Sequence, residues 1–234
     1  MSFTTSIARR AAIAVTATGL LAGLVAAPLP ATASAPPVRT VTERADIDGD
    51  GRADRVQLTI ERVAAGGTTL RLTTRTAAGR TATTRIATEV SEPGIDARAY
   101  WVGTAPLDGV PGEEVVLDLA GGIGDGHRHM VYTLRGGAWQ RQLAPGARSF
   151  NTPWVISQHP AFGIAGYEFS TTGQTRRVVA TRLTPNADGT TFSGYRTMYR
   201  WGTHGWMSSG TTWIRDGMQH RVEGWGGWKG VDLG

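Results

Sequence analysis

The chain has 234 residues and no cysteine, so neither a disulfide framework nor a lipidated N-terminal cysteine is open to it, and stability must come from burial and bound ions. Its 24 Lys and Arg against 19 Asp and Glu leave a formal charge of +5, a mild excess. The arginines stand singly along alternating segments, as at Arg71, Arg75, Arg80 and Arg85, with no aromatic residues interleaved, so no nucleic-acid partner is expected.

Residues 1–35 read as a secretory signal peptide. Arg9 and Arg10 precede an apolar run from Ala11 to Ala27, and the small-residue site Ala33-Ser34-Ala35 follows. The run is shorter than the roughly 18 to 20 residues of a membrane span, Pro28 and Pro30 follow it, and nothing downstream resembles it. A secreted, extracellular protein with no membrane span is expected, its mature part a single domain over 36–234. Arginine almost to the exclusion of lysine, together with abundant Ala, Gly and Thr, points to a high-GC bacterial genome of the actinobacterial type.

The strongest chemical signal follows at Asp46-Ile47-Asp48-Gly49-Asp50-Gly51-Arg52-Ala53-Asp54. A hard cation takes about six to eight oxygens, and alternate positions of a tight loop supply them when a glycine at the sixth lets the chain turn. The expected calcium ligands are Asp46, Asp48, Asp50, the backbone carbonyl of Arg52, and Asp54, with Gly51 at the turn. An EF-hand would require a helix and a glutamate at the twelfth position. That position is Gln57, inside Arg55-Val56-Gln57-Leu58-Thr59-Ile60, which alternates as a strand.

Alternation continues through Leu70 and Leu72, then Val115, Leu117 and Leu119, then Val179, Thr181 and Leu183. Hairpin signals separate the segments at Ala65-Gly66-Gly67, Ala78-Gly79, Gly136-Gly137, Thr172-Gly173, Asp188-Gly189 and Asp216-Gly217. No segment carries a capped helical stripe, so the expected fold is all-β. Asp48-Gly49 and Asp108-Gly109 lie 60 residues apart, each ahead of an acidic residue and an alternating strand. Met130 to Trp139 and Thr197 to Trp206 also correspond: strand, glycine turn, tryptophan. The chain thus divides into units near 46–100, 106–160 and 162–216, followed by a Trp-rich tail over 217–234.

An Asp-x-Asp-x-Asp-Gly-x-x-Asp loop running straight into a β-strand, at this repeat spacing, resembles the FG-GAP/VCBS repeat family. The resemblance implies antiparallel, blade-like hairpins whose inter-strand loop holds calcium, and it carries over to Asp46, Asp48, Asp50, Arg52 and Asp54. Only the first unit has the intact loop. In the second, Val110 and Pro111 replace an expected Asp-Gly, leaving Glu113 as the partner for Asp108. Three units also fall short of the four blades that close a propeller, so a compact or partial propeller is expected rather than a closed ring.

His127 and His129 sit one residue apart, so both imidazoles of a strand would share one side and, with Asp125, could hold a transition metal. The competing account is a polar strand end. His204 has no Cys or Glu-x-x-His spacing beside it. No Gly-x-Ser-x-Gly elbow occurs, and Glu113 and Glu114, adjacent on a strand, face opposite sides, so no catalytic residue is assigned. Core packing is the leading expectation for the late tryptophans; Trp225 and Trp228, among glycines in Gly224-Trp225-Gly226-Gly227-Trp228, are the pair expected to be most exposed and the candidate ligand-binding residues. The expected function is a noncatalytic calcium-binding β-repeat module that recognises a glycan or protein at the cell envelope. The rivals are a secreted polysaccharide-active or other hydrolase, and a carbohydrate-binding module built on the Trp-rich tail.

Overall fold

A computed structural model describes residues 37–90, 92–119, 126–159, 161–203 and 205–233. The expected leader over 1–35, Asp125 and His204 lie outside them. Residues Pro36–Gly234 form one compact unit.

The chain is all-β, as its alternation requires. Strands β1 (Thr40–Ala45), β2 (Asp54–Ala64), β3 (Gly67–Arg75) and β4 (Thr81–Thr88) form an antiparallel meander in sequence order. Val56, Leu58 and Ile60 of β2 and Leu70 and Leu72 of β3 are buried on one face, while their neighbours reach solvent. A short 3-10 turn at Ala97–Ala99 leads to β5 (Trp101–Ala105), β6 (Glu114–Asp118), β7 (Gly126–Arg135) and β8 (Ala138–Gln142), again paired in order. Then come β9 (Trp154–Ser157), β10 (Ile164–Thr172), β11 (Thr175–Pro185), β12 (Thr191–Gly202) and β13 (Gly205–Met218). A four-residue helix, α1 (Gln219–Val222), and a 3-10 turn precede β14 (Gly227–Lys229), which pairs in parallel with β10.

The second and third meanders are not separate blades. Beside β8, strand β7 also pairs with β9, with His129 opposite Trp154, so β5 to β13 form one continuous sheet. Neither sheet closes into a barrel, which matches a partial propeller-like or sandwich arrangement.

The 60-residue spacing reappears in the register. Ala45 pairs with Asp54 across β1 and β2, and Ala105 pairs with Glu114 across β5 and β6. Five of the six hairpin signals mark real turns; Asp216-Gly217 does not. It lies inside β13, where the register against β12 slips between Phe192/Gly217 and Gly194/Ile214 and Asp216 takes φ 50°. An αL residue can turn a hairpin or make a bulge, and dipeptide chemistry alone does not separate them. Likewise Trp139 sits in the β7–β8 hairpin and Trp206 in the β12–β13 hairpin, which hold different places in their meanders.

All of β6 is buried because both its faces are covered. Val115 and Leu117 pack with Leu58, Leu70 and Leu72 of the first sheet, whereas Val116 packs with Trp154, Tyr167 and Phe169 on the other side. Its two ends, Glu114 and Asp118, are therefore carboxylates set in the protein interior.

Candidate metal centre

In the 46–54 loop each early aspartate folds the backbone over itself. Asp46 accepts from the Gly49 and Gly51 nitrogens, both at 2.9 Å. Asp48 accepts from Asp50 N at 3.3 Å, and Asp50 from Arg52 N at 2.9 Å. Such short-range bonds are what Asp supplies in turns. They gather one carboxylate oxygen from each of Asp46, Asp48 and Asp50 within 4.8 Å of one another. Like charges so close repel, and a donor set made of hard oxygens suits a hard cation. The guanidinium of Arg80, 3.2 Å from Asp48 Oδ2, is the one positive group bonded to these three carboxylates among the described residues.

Asp54 stands outside that trio. It is buried, and its carboxylate accepts from the backbone nitrogens of Ile47 (2.9 Å), Asp48 (3.2 Å) and Ala77 (2.8 Å). It ties the loop entrance and the β3–β4 turn to the start of β2. Arg52 is exposed, and its backbone nitrogen serves the loop through Asp50.

The second loop repeats this scaffold and changes its chemistry. Leu107 N donates to Glu114 at 2.7 Å as Ile47 N does to Asp54, and Val110 N donates to Asp108 at 2.8 Å as Asp50 N does to Asp48. Gly109 has φ 79° where Gly49 has φ 76°. Here, however, Arg135 bonds both Asp108 (3.0 Å) and Glu114 (2.9 Å), and Gln142 donates to Asp108 at 2.8 Å. A built-in guanidinium thus sits among the carboxylates. Glu113, the sequence's partner for Asp108, instead accepts from Thr104 Oγ1 at 2.6 Å, because alternation sends Glu113 and Glu114 to opposite faces. Burial, and next the charge of Asp108, push the Glu114 carboxyl up to about 7, against the Leu107 N–H, Arg135 and Thr133. The two loops touch: Glu113 N donates to Asp46 O at 2.7 Å, and a Cβ on Gly49 would lie 2.5 Å from the Pro111 carbonyl carbon.

A third cluster was only half visible in the sequence. His127 and His129 do share one side of β7, with rings stacked 5.8 Å apart, but their described carboxylate neighbour is Asp118, paired across the ladder with His129. Asp118 lies nine residues before His127 on the neighbouring strand, a proximity that only the β6–β7 register creates.

Trp225 and Trp228 are half-buried. Pairing of β14 with β10 lays Trp228 against Trp154 (5.5 Å between ring centres), Tyr167 (5.3 Å) and Phe169 (5.9 Å), and Arg196 covers the Trp225 ring at 4.4 Å. Among the described residues the solvent-facing aromatics are Phe150, Phe162, Trp213 (71% exposed) and Tyr195, of which Trp213 and Tyr195 are cross-strand neighbours with ring centres 5.7 Å apart. Sequence reading missed this pair because Trp213 lacks flanking glycines. A cleft of about 430 Å³ also opens beside the end of β4, with Arg128, Arg141 and Glu89 in its wall.

No family model matches the chain, and neither a curated protein nor a solved structure matches it.

Proposed function

We propose that the protein is a secreted, noncatalytic β-repeat module of FG-GAP/VCBS-like character whose first loop binds one calcium ion, and that it serves recognition at the cell envelope. The observation that carries the calcium reading is the contrast between the two loops. The second holds its carboxylates with Arg135; the first gathers three carboxylates with, among the described residues, only the surface arm of Arg80 beside them. Asp46, Asp48 and Asp50 would hold the ion, with the Arg52 carbonyl completing the set, while Asp54 anchors the loop from behind. The ion turns mutual repulsion into ligation and fixes the loop against β2. Sites of this kind outside cells bind at about 10⁻⁴ to 10⁻³ M, where calcium is millimolar.

Thermal unfolding tests it. The melting temperature is expected to be higher in millimolar calcium than in chelator, and Asp50→Ala to abolish the difference; equal shifts in both proteins would sink the site. A carbohydrate-binding reading gains support from the Tyr195 and Trp213 rings, since exposed aromatic faces stack on sugars. On that reading recognition uses the β12–β13 surface in place of Trp225 and Trp228.

A further inference from the structure

We propose that Asp118, His127 and His129 form a second metal site, separate from the acidic loop, that takes a divalent transition metal of the zinc class. One ligand atom from each residue lies within 4.8 Å of the others. The three come from two adjacent strands: Asp118 and His129 face each other across the β6–β7 ladder, and His127 follows two residues along on the same side. Imidazole nitrogen is a poor ligand for calcium and a preferred one for zinc, copper or nickel, so two histidines and one carboxylate select a different ion from the aspartate loop.

The second observation is His129 itself. It is 5% exposed, and its Nδ1 has no hydrogen-bond partner among the described residues. A buried polar atom left unpaired is destabilising, and native proteins leave few of them. A plain polar cluster accounts for the His127–Asp118 hydrogen bond of 2.8 Å but not for a second, parallel imidazole buried beside it. A metal accounts for both, replacing the proton between Asp118 and His127 and giving the buried ring a partner. The His127 side chain is 41% exposed, which leaves the ion a way in and a coordination position for water.

The site would act as a staple. It joins β6 to β7 where β7 changes partner to β9, and the His129 ring meets the edge of Trp228 at 5.7 Å, so the ion also supports the docked tail.

Titration of the full chain with zinc by calorimetry, repeated with cobalt(II) followed by its visible absorption, tests the proposal. One zinc per chain at micromolar concentration is expected, unchanged by millimolar calcium and by Asp50→Ala, with a cobalt spectrum typical of mixed nitrogen and oxygen ligands. Since His129 is interior, the partly exposed His127 carries the mutational test. His127→Ala is expected to weaken zinc by at least about tenfold, and Asp118→Asn to do the same, in proteins whose far-ultraviolet circular dichroism matches the parent. No uptake at micromolar zinc overturns the proposal, as does uptake that survives both substitutions or moves with Asp50→Ala.

Discussion

Three residues show how one position is fixed by its neighbours. Gly49 needs φ 76°, and a Cβ there would strike Pro111 of the second loop; Gly79 has a similar φ, 84°, with nothing within 4 Å of its Cβ position. Gly79→Ala therefore bears only the left-handed backbone penalty, about 1–2 kcal/mol, and Gly49→Ala is expected to lose clearly more in urea unfolding. Equal losses would count against the packed loops. Asp54, expected as a ligand with the other aspartates, shows how a motif position can serve backbone nitrogens while the Asp46, Asp48 and Asp50 carboxylates gather apart from it. Glu114 shows burial acting on charge. Below pH 4.5 it is protonated in both the folded and the unfolded chain; between there and about 7 only the folded chain keeps the proton. Stability from this group thus falls as pH rises through that window, by on the order of 3 kcal/mol, and Glu114→Gln is expected to flatten the slope. Denaturant midpoints at pH 5 and pH 8 for both proteins measure it; parallel slopes would contradict a raised Glu114.

At the scale of elements, strands and most turns were legible because a period of two and a Gly-containing dipeptide are local signals, as β2, β3 and the Gly136-Gly137 hairpin illustrate. Asp216-Gly217 was misread because a bulge and a turn use the same αL residue. How far the tail is covered was not legible, because exposure depends on what an element docks against, and β14 finds β10 more than fifty residues upstream. Here Trp228→Ala, which empties an aromatic cluster, is expected to lower stability by about 3 kcal/mol, and Trp213→Ala to change it by no more than about 0.5 kcal/mol. On the carbohydrate reading the order inverts for glycan retention: Trp213→Ala loses it while staying folded. Loss only with Trp228→Ala would return the ligand face to the tail.

For the whole molecule, the two sheets meet across β6, so an ion bound at 46–54 would act on the first sheet and on the second loop that Gly49 touches. Calcium is accordingly expected to slow amide exchange over β1 to β4 and the 106–113 loop and to leave β11 to β13 unchanged; uniform protection would mean a global effect and no local clip. The sequence by itself determined the all-β class and the aspartate-rich loop at 46–54, because alternation, glycine turns and carboxylate spacing act over fewer than ten residues, and the recurrence of one such local pattern made the 60-residue spacing of the first two loops visible. Only the tertiary structure decided that Arg135 bridges the second loop's carboxylates while the first loop's have only the exposed Arg80 beside them among the described residues, that Asp54 lies apart from the other loop aspartates, that Asp118 joins His127 and His129, and that Trp228 packs while Trp213 faces water. Those facts arise from strand register and sheet docking, which bring together residues that no local pattern relates.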